Sequence, residues 1–175
     1  MPRRALVPGG GGPVGIAWET GLAAGLAEQG IDLQEADLTI GTSAGSAVGA
    51  QLALGRSPAD MAAAVRGQAE SARPSGPASG GTAPPAADLT ELMRLMAKAG
   101  SGGASAESFR AELGQFALRA QTPPEETFIA GFGRTLGSSA WPVRRFTCTA
   151  VDTANGEFVT WDNDSGVALA AAQVQ

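Results

Sequence analysis

Hydrophobic and polar positions along the chain change period several times, and each change predicts an element. Ala5-Leu6-Val7 is an apolar run stopped by Pro8 and the glycines Gly9 to Gly12, which predicts a short buried strand. From Gly15 to Gln29, Ile16, Leu22 and Leu26 recur at helical spacing among alanines, and Gly30 stands where helices stop. Asp37 to Ile40 predicts a second strand that runs into Gly41-Thr42-Ser43-Ala44-Gly45, with a helix from Ser46 to Leu54. Ser57 ahead of Pro58 is an N-cap signal, with proline in the first turn, for a helix reaching about Ala69.

Ala72 to Ala87 (ARPSGPASGGTAPPAA) carries no period. Its Pro, Gly, Ser and Ala cannot bury enough apolar surface to offset ordering entropy, so a mobile linker or lid is expected over residues 72–87. A helix over Asp88 to Ala99 should turn Leu89, Leu92, Met93 and Met96 inward, as core spacing rather than as an acyl-chain channel. Gly100 to Ala104 reads as a second flexible break. Ser105 then caps a helix to Arg119 with Phe109, Leu113 and Phe116 inward. Phe146 to Val151 (FTCTAV) and Glu157 to Trp161 (EFVTW), joined by a turn at Asp152 to Gly156, predict a hairpin. Ser165 to Val167 starts a helix that the chain carries only to Gln175. Strand, helix, strand, helix at the start argues for an α/β fold, a parallel-type sheet flanked by helices. The whole of 1–175 is expected to be one domain, incomplete at its C-terminus.

Composition removes several functions. Of 175 residues, 43% are hydrophobic, enough for a core. The net charge of −5 with a single lysine, Lys98, disfavours binding along a phosphate backbone, so no nucleic acid is expected as a partner. Cys148 stands alone, which excludes an internal disulfide, and its place in a strand predicts a buried thiol. There is no histidine, so a histidine-ligated metal, a Cys/His pair and a Ser-His-Asp triad are all out of reach. No segment has the length of a signal peptide's apolar core or of a membrane span, which leaves the cytoplasm as the default location. Trp18, Trp141 and Trp161 read as core or rim packing, and Arg144-Arg145 as a solvated pair.

Two motifs carry chemistry. Gly41 to Gly45 is G-x-S-x-G between a strand and a helix, where the pattern forms a nucleophile elbow; a plain small-residue turn is the other reading. Gly10-x-Gly12-x-x-Gly15 follows a strand and opens a helix. It reads as a pyrophosphate cradle, as an oxyanion-binding loop or as a tight turn. The nucleotide reading needs an acidic residue at the end of the second strand, and Asp37 precedes that strand instead. In a parallel sheet both loops fall on the same edge, one offering N–H donors and the other a nucleophile.

With these motifs in this order, the chain resembles the bacterial patatin-like phospholipases. Gly12-Pro13-Val14-Gly15-Ile16-Ala17-Trp18-Glu19 and Asp152-Thr153-Ala154-Asn155-Gly156-Glu157 add to the likeness, which runs from Ala5 to about Leu169. The resemblance implies a lipid acyl hydrolase that uses a Ser–Asp dyad without histidine and without cofactor or metal. Ser43 would be the nucleophile and Gly10, Gly11 and Gly12 the oxyanion loop, with a further donor from the Ala44 N–H. Val14 stands where many members have a basic residue. A lipid or ester substrate and transient contact with a membrane surface are the implied partners. The implied acid lies in a D-G-G or D-G-A motif, and none is present: Asp152 is in D-T-A, Asp162 in D-N-D and Asp164 in D-S-G. Asp152 reads better as a turn residue, so no catalytic acid is identified and a truncated domain with impaired activity is expected. Two alternatives stay open. One is a non-catalytic fragment or pseudoenzyme binding lipid or a partner; the other is a nucleotide-binding module built on the glycine loop.

Overall fold

In a computed structural model, residues 3–71, 89–100, 105–119 and 123–173 are described. The segments expected to be flexible, 72–87 and most of 100–104, lie outside the described residues. A sheet of four strands runs in the order β1 (Ala5–Leu6), β2 (Leu38–Gly41), β3 (Phe146–Val151), β4 (Phe158–Trp161). β1 and β3 both pair with β2 in parallel, with Leu6 opposite Thr39 and Gly41 opposite Cys148. β4 returns from β3 through a tight turn, closed by Asp152 N–H to Glu157 C=O at 2.9 Å. So short a connection requires antiparallel neighbours. The fold is α/β, as the alternation of strands and helices predicts.

The chain gathers into two compact units. The larger is made of Met1–Pro74, Glu125–Thr149 and Thr160–Gln175. It contains α1 (Gly12–Glu28), α2 (Ala44–Ala53), α3 (Pro58–Ser71), α6 (Glu125–Leu136) and α7 (Leu169–Ala172). The smaller, Ser75–Pro124 and Ala150–Val159, contains α4 (Leu89–Gly100), α5 (Ala106–Leu118) and the hairpin turn.

Helix α2 is the centre of the larger unit, because all ten of its residues are buried. Its sequence, AGSAVGAQLA, is mostly small, which lets neighbours approach from every side. One flank, Ala50 and Ala53, joins Leu136, Phe146, Cys148 and Leu169 in one apolar cluster. The other, Val48 and Leu52, joins Ala23 and Met61, with Leu6, Ile16 and Leu33 against them. Helix α1 ends as its glycine requires: Gly30 takes φ 77°, and Ile31 N–H reaches back to Leu26 C=O at 3.0 Å. In the smaller unit, Ser105 caps α5 by accepting from Ser108 N–H at 3.1 Å. Gly114 lets that helix lie against the turn, since a Cβ there would sit 2.8 Å from Thr153 Cα.

Several expectations are corrected. β1 is an edge strand rather than a buried one: Ala5 is exposed, and Val7, just beyond it, is 66% exposed. α2 begins at Ala44, two residues early, because the backbone reverses sharply at Ser43. In α4 the buried side chain is Leu95, while Met93 is 65% exposed; the side chains of Leu89 and Met96 lie outside the described residues. The face turned inward follows contact with α5, where Lys98 bridges Glu112 at 2.7 Å. Helix α6 lies outside the elements that the hydrophobic pattern predicts, although Pro123-Pro124 followed by Glu125-Glu126 is a helix-opening signal. Trp141 and Trp161 pack against the first cluster as expected, but Trp18 is 66% exposed on α1.

Cys148 is fully buried, and burial pushes its thiol up to about 11. The native protein at about pH 8 should therefore leave a thiol-reactive disulfide reagent unreacted, with one equivalent released on adding denaturant. Fast labelling of the folded chain would contradict this burial.

Candidate active site

The glycine loop and the G-x-S-x-G turn meet at the C-terminal ends of β1 and β2. The Gly45 N–H donates to Gly9 C=O at 2.7 Å, and the Thr42 N–H to Pro8 C=O at 3.3 Å. No side chain fits at Gly45, since a Cβ would collide with the Pro8 carbonyl. At Gly41 a Cβ would lie 2.5 Å from Gly45 O and Ser46 Cα. The two glycines of the motif are thus required by close backbone approach. Thr42 ties the turn to β3 through its hydroxyl, 2.9 Å from the Thr149 hydroxyl.

Ser43 is the only non-glycine residue with positive φ among the described residues, at φ 54° and ψ −114°. That conformation costs about 1–3 kcal/mol and persists because the surrounding bonds fix it. It holds the side chain exposed at the head of a buried helix, where it forms no capping hydrogen bond. Gly10 is the loop residue nearest it, for a Cβ at Gly10 would stand 3.8 Å from Ser43 Cβ. The N–H groups of Gly10, Gly11, Gly12 and Ala44 find no acceptor among the described residues. Gly12 and Ala44 are the first residues of α1 and α2, so two helix N-termini converge here and favour negative charge.

Beneath the loop lies a residue that motif reading missed. Glu19, about two turns into α1, accepts from the Gly9 N–H at 2.9 Å through Oε1, while its Oε2 is buried without a partner. Burial raises the Glu19 carboxyl above its ordinary value, opposed less strongly by the Gly9 N–H. The sequence signal is an acidic residue in the middle of a helix that is otherwise mostly apolar and small up to Glu28.

The aspartates weighed as bases are engaged in their own turns. Asp152 Oδ1 accepts from Ala154 N–H at 2.8 Å, and Asp162 Oδ1 accepts from Asp164 N–H and the Ser165 hydroxyl, both at 3.0 Å. Asp164 is exposed. No carboxylate is hydrogen-bonded to Ser43 among the described residues. Asp37 sits at the entry end of β2, bonded to Arg4 N–H at 2.7 Å, the opposite end of the strand from the glycine loop. A ribose partner for the nucleotide reading is therefore not at the loop. Val14, in the first turn of α1, is 79% exposed and brings no charge.

A strained serine between a strand and a helix, beside a glycine loop rich in free N–H groups, is the arrangement of the serine-nucleophile α/β class. The model of one family in that class, Patatin-like phospholipase, matches residues 6–172, and the chain belongs to the patatin-like phospholipase family. No curated protein matches the chain. Two similar solved structures are both of ExoU. One is its heterodimeric complex with SpcU from the type III secretion system of Pseudomonas aeruginosa (19% identity, TM-score 0.44). The other is a crystal structure of the type III effector protein ExoU (19% identity, TM-score 0.46). They cover 98% and 99% of this chain, which spans only 35% and 39% of theirs.

Two stability changes should follow. Ser43→Gly removes the backbone strain and should stabilise the fold by about 1 kcal/mol in urea unfolding. A raised folded-state value at Glu19 means its contribution to stability is present in acid and lost as pH rises through that value. Glu19→Gln keeps an acceptor for Gly9 and cannot ionise. Its melting temperature relative to wild type should therefore increase from about pH 4 to pH 7. A difference that stays flat or falls would show that Glu19 is not desolvated.

Proposed function

We propose that the chain is a serine acyl hydrolase of lipid or phospholipid esters. The observation that carries this reading is the exposed, strained Ser43 beside the unpaired N–H groups of the glycine loop. Ser43 Oγ attacks the ester carbonyl, and its proton passes to a carboxylate, the only side-chain base of suitable strength in a chain without histidine. The carbonyl oxygen gains negative charge and is held by N–H groups of Gly10, Gly11 and Gly12, with Ala44 at the head of α2. Collapse of this intermediate expels the alcohol as it regains a proton. Water then cleaves the acyl-serine, releasing the carboxylic acid and restoring Ser43.

The proposed dyad lacks a carboxylate bonded to Ser43 among the described residues, so the chain by itself should turn over slowly. A hydrolase without its base keeps a residual rate of about 10³–10⁴ over water through the oxyanion loop and binding. The same observation favours a second reading, a lipid- or partner-binding module that keeps the loop without the chemistry. Val14, Trp18 and Leu22, exposed at i, i+4 and i+8 on α1, suit transient contact with a membrane surface under either reading.

Hydrolysis of short p-nitrophenyl esters decides between them. Activity should be low, Ser43→Ala should remove it, and Gly10→Val, which sets a branched side chain over the serine, should lower kcat by about 10²–10³. Asp152→Asn should leave it unchanged. Undiminished turnover in Ser43→Ala would exclude Ser43 as nucleophile, and no turnover by any folded form would favour the binding module.

A further inference from the structure

The loop between β1 and α1 is held at three successive backbone groups. The Pro8 carbonyl accepts from the Thr42 N–H at 3.3 Å, the Gly9 N–H donates to Glu19 Oε1 at 2.9 Å, and the Gly9 carbonyl accepts from the Gly45 N–H at 2.7 Å. No cis peptide bond occurs among the described residues, and in a trans peptide the C=O and N–H point opposite ways in one plane. The Pro8–Gly9 unit is therefore tied at its oxygen to the G-x-S-x-G turn and at its hydrogen to Glu19. The Gly9–Gly10 unit is tied at its oxygen to Gly45, which turns the free Gly10 N–H the other way.

Packing does not hold Gly9. It is exposed, a Cβ there would meet nothing within 4 Å, and glycine turns almost freely about its own backbone bonds. The angle between the two peptide planes thus rests on the hydrogen bonds. Two of these come from backbone N–H groups of the turn, and the third from a side chain on α1. For stability alone Glu19 is poorly placed, since its Oε2 is buried without a partner and burial raises its carboxyl above the ordinary value. An apolar residue would suit the middle of α1 better, and such departures from local rules gather at functional positions.

Resting on the hydrolase reading, we propose that Glu19 is the positioning residue of the oxyanion loop. Through the Gly9 N–H it sets the plane of the Pro8–Gly9 peptide. Together with Gly45 it fixes the direction in which the Gly10 N–H meets the carbonyl oxygen of an ester at Ser43. That direction matters because Gly10 is the loop residue nearest Ser43, where a Cβ would stand 3.8 Å from Ser43 Cβ. A hydrogen bond weakens steeply as its angle closes, and this one gains most when negative charge develops on the oxygen. Loss of the Glu19 acceptor therefore lowers kcat and leaves KM nearly unchanged. The carboxylate charge opposes the same oxyanion, so an uncharged acceptor of equal length keeps the orientation and removes the opposition.

Two measurements on the 175-residue chain separate the loop from the chemistry. The first is amide hydrogen exchange of Gly9 by NMR, which reads the bond to Glu19 with no ester present. Gly9 should be protected in wild type and in Glu19→Gln, and should exchange about tenfold faster in Glu19→Leu. The second is turnover of p-nitrophenyl butyrate, set beside urea unfolding. Glu19→Leu should lower kcat about tenfold with KM unchanged. The same variant should be at least as stable as wild type at about pH 7, whereas a merely structural residue would move activity and stability together. Glu19→Gln should keep kcat at or above wild type, restoring what leucine loses. Should Glu19→Leu fail to fold by circular dichroism, Glu19→Met, unbranched and of equal length, replaces it. Gly9 exchange that is the same in Glu19→Gln and in the apolar variant overturns the assignment. Ser43-dependent turnover whose kcat survives in the apolar variant also overturns it, and leaves the hydrolase standing. Gly9 exchange that responds as expected, with no turnover by any folded form, overturns the hydrolase reading and leaves Glu19 as the residue that orients the loop.

Discussion

The close approach of α2 to the loop after β1 governs the rest of the larger unit. Gly45 N–H can reach Gly9 C=O at 2.7 Å only because neither Gly41 nor Gly45 has a side chain. That contact sets the depth at which α2 enters, and a helix buried over its whole length has to be built of small residues. It also forces the reversal at Ser43, since the chain has only Thr42 and Ser43 in which to turn from β2 into a helix pinned beneath it. The strain at Ser43 is thus a consequence of packing. It is offset by the burial of Val48, Leu52, Ala50 and Ala53 on the two flanks of the helix.

The same contact fixes the electrostatics. Two helices begin at one point of the sheet edge with their first N–H groups unpaired, and no side chain caps either of them. An arrangement that would be wasteful for stability alone is suited to an anionic oxygen. Glu19 works in the opposite sense, placing a partly desolvated carboxyl beneath the Gly9 N–H. Its Oε1 accepts from the loop's Gly9 N–H, while a charge on it opposes an anion nearby. Glu19 therefore bears on both loop geometry and loop potential, and Glu19→Gln, which keeps the acceptor and removes the charge, can separate them.

Family membership and the details of the chemistry rest on different grounds. Membership follows from a match over residues 6–172. The proton acceptor does not follow from it, because Asp152 and Asp162 each engage Oδ1 in their own turns and neither is bonded to Ser43. Each of these carboxylates is held in place by a backbone N–H of its own turn.

Much of this was legible in the residues themselves. Local physics decides several elements: Gly30 ends α1, Ser105 caps α5, β-branched residues around Asp152-Thr153-Ala154-Asn155-Gly156 make the hairpin, and the absence of histidine narrows the chemistry. Contacts between distant segments decided what local pattern could not. β1 lies at an edge because nothing among the described residues pairs beyond it, although its residues are as apolar as those of an inner strand. Leu95 rather than Met93 turns inward because α5 and its Glu112 choose the face of α4. Glu19 is unremarkable as a letter in a helix and becomes significant only when the fold carries the Gly9 N–H to within 2.9 Å of it. Spacing along the chain records which residue types are present at each turn or strand. Burial and proximity arise only when segments far apart in sequence share one volume.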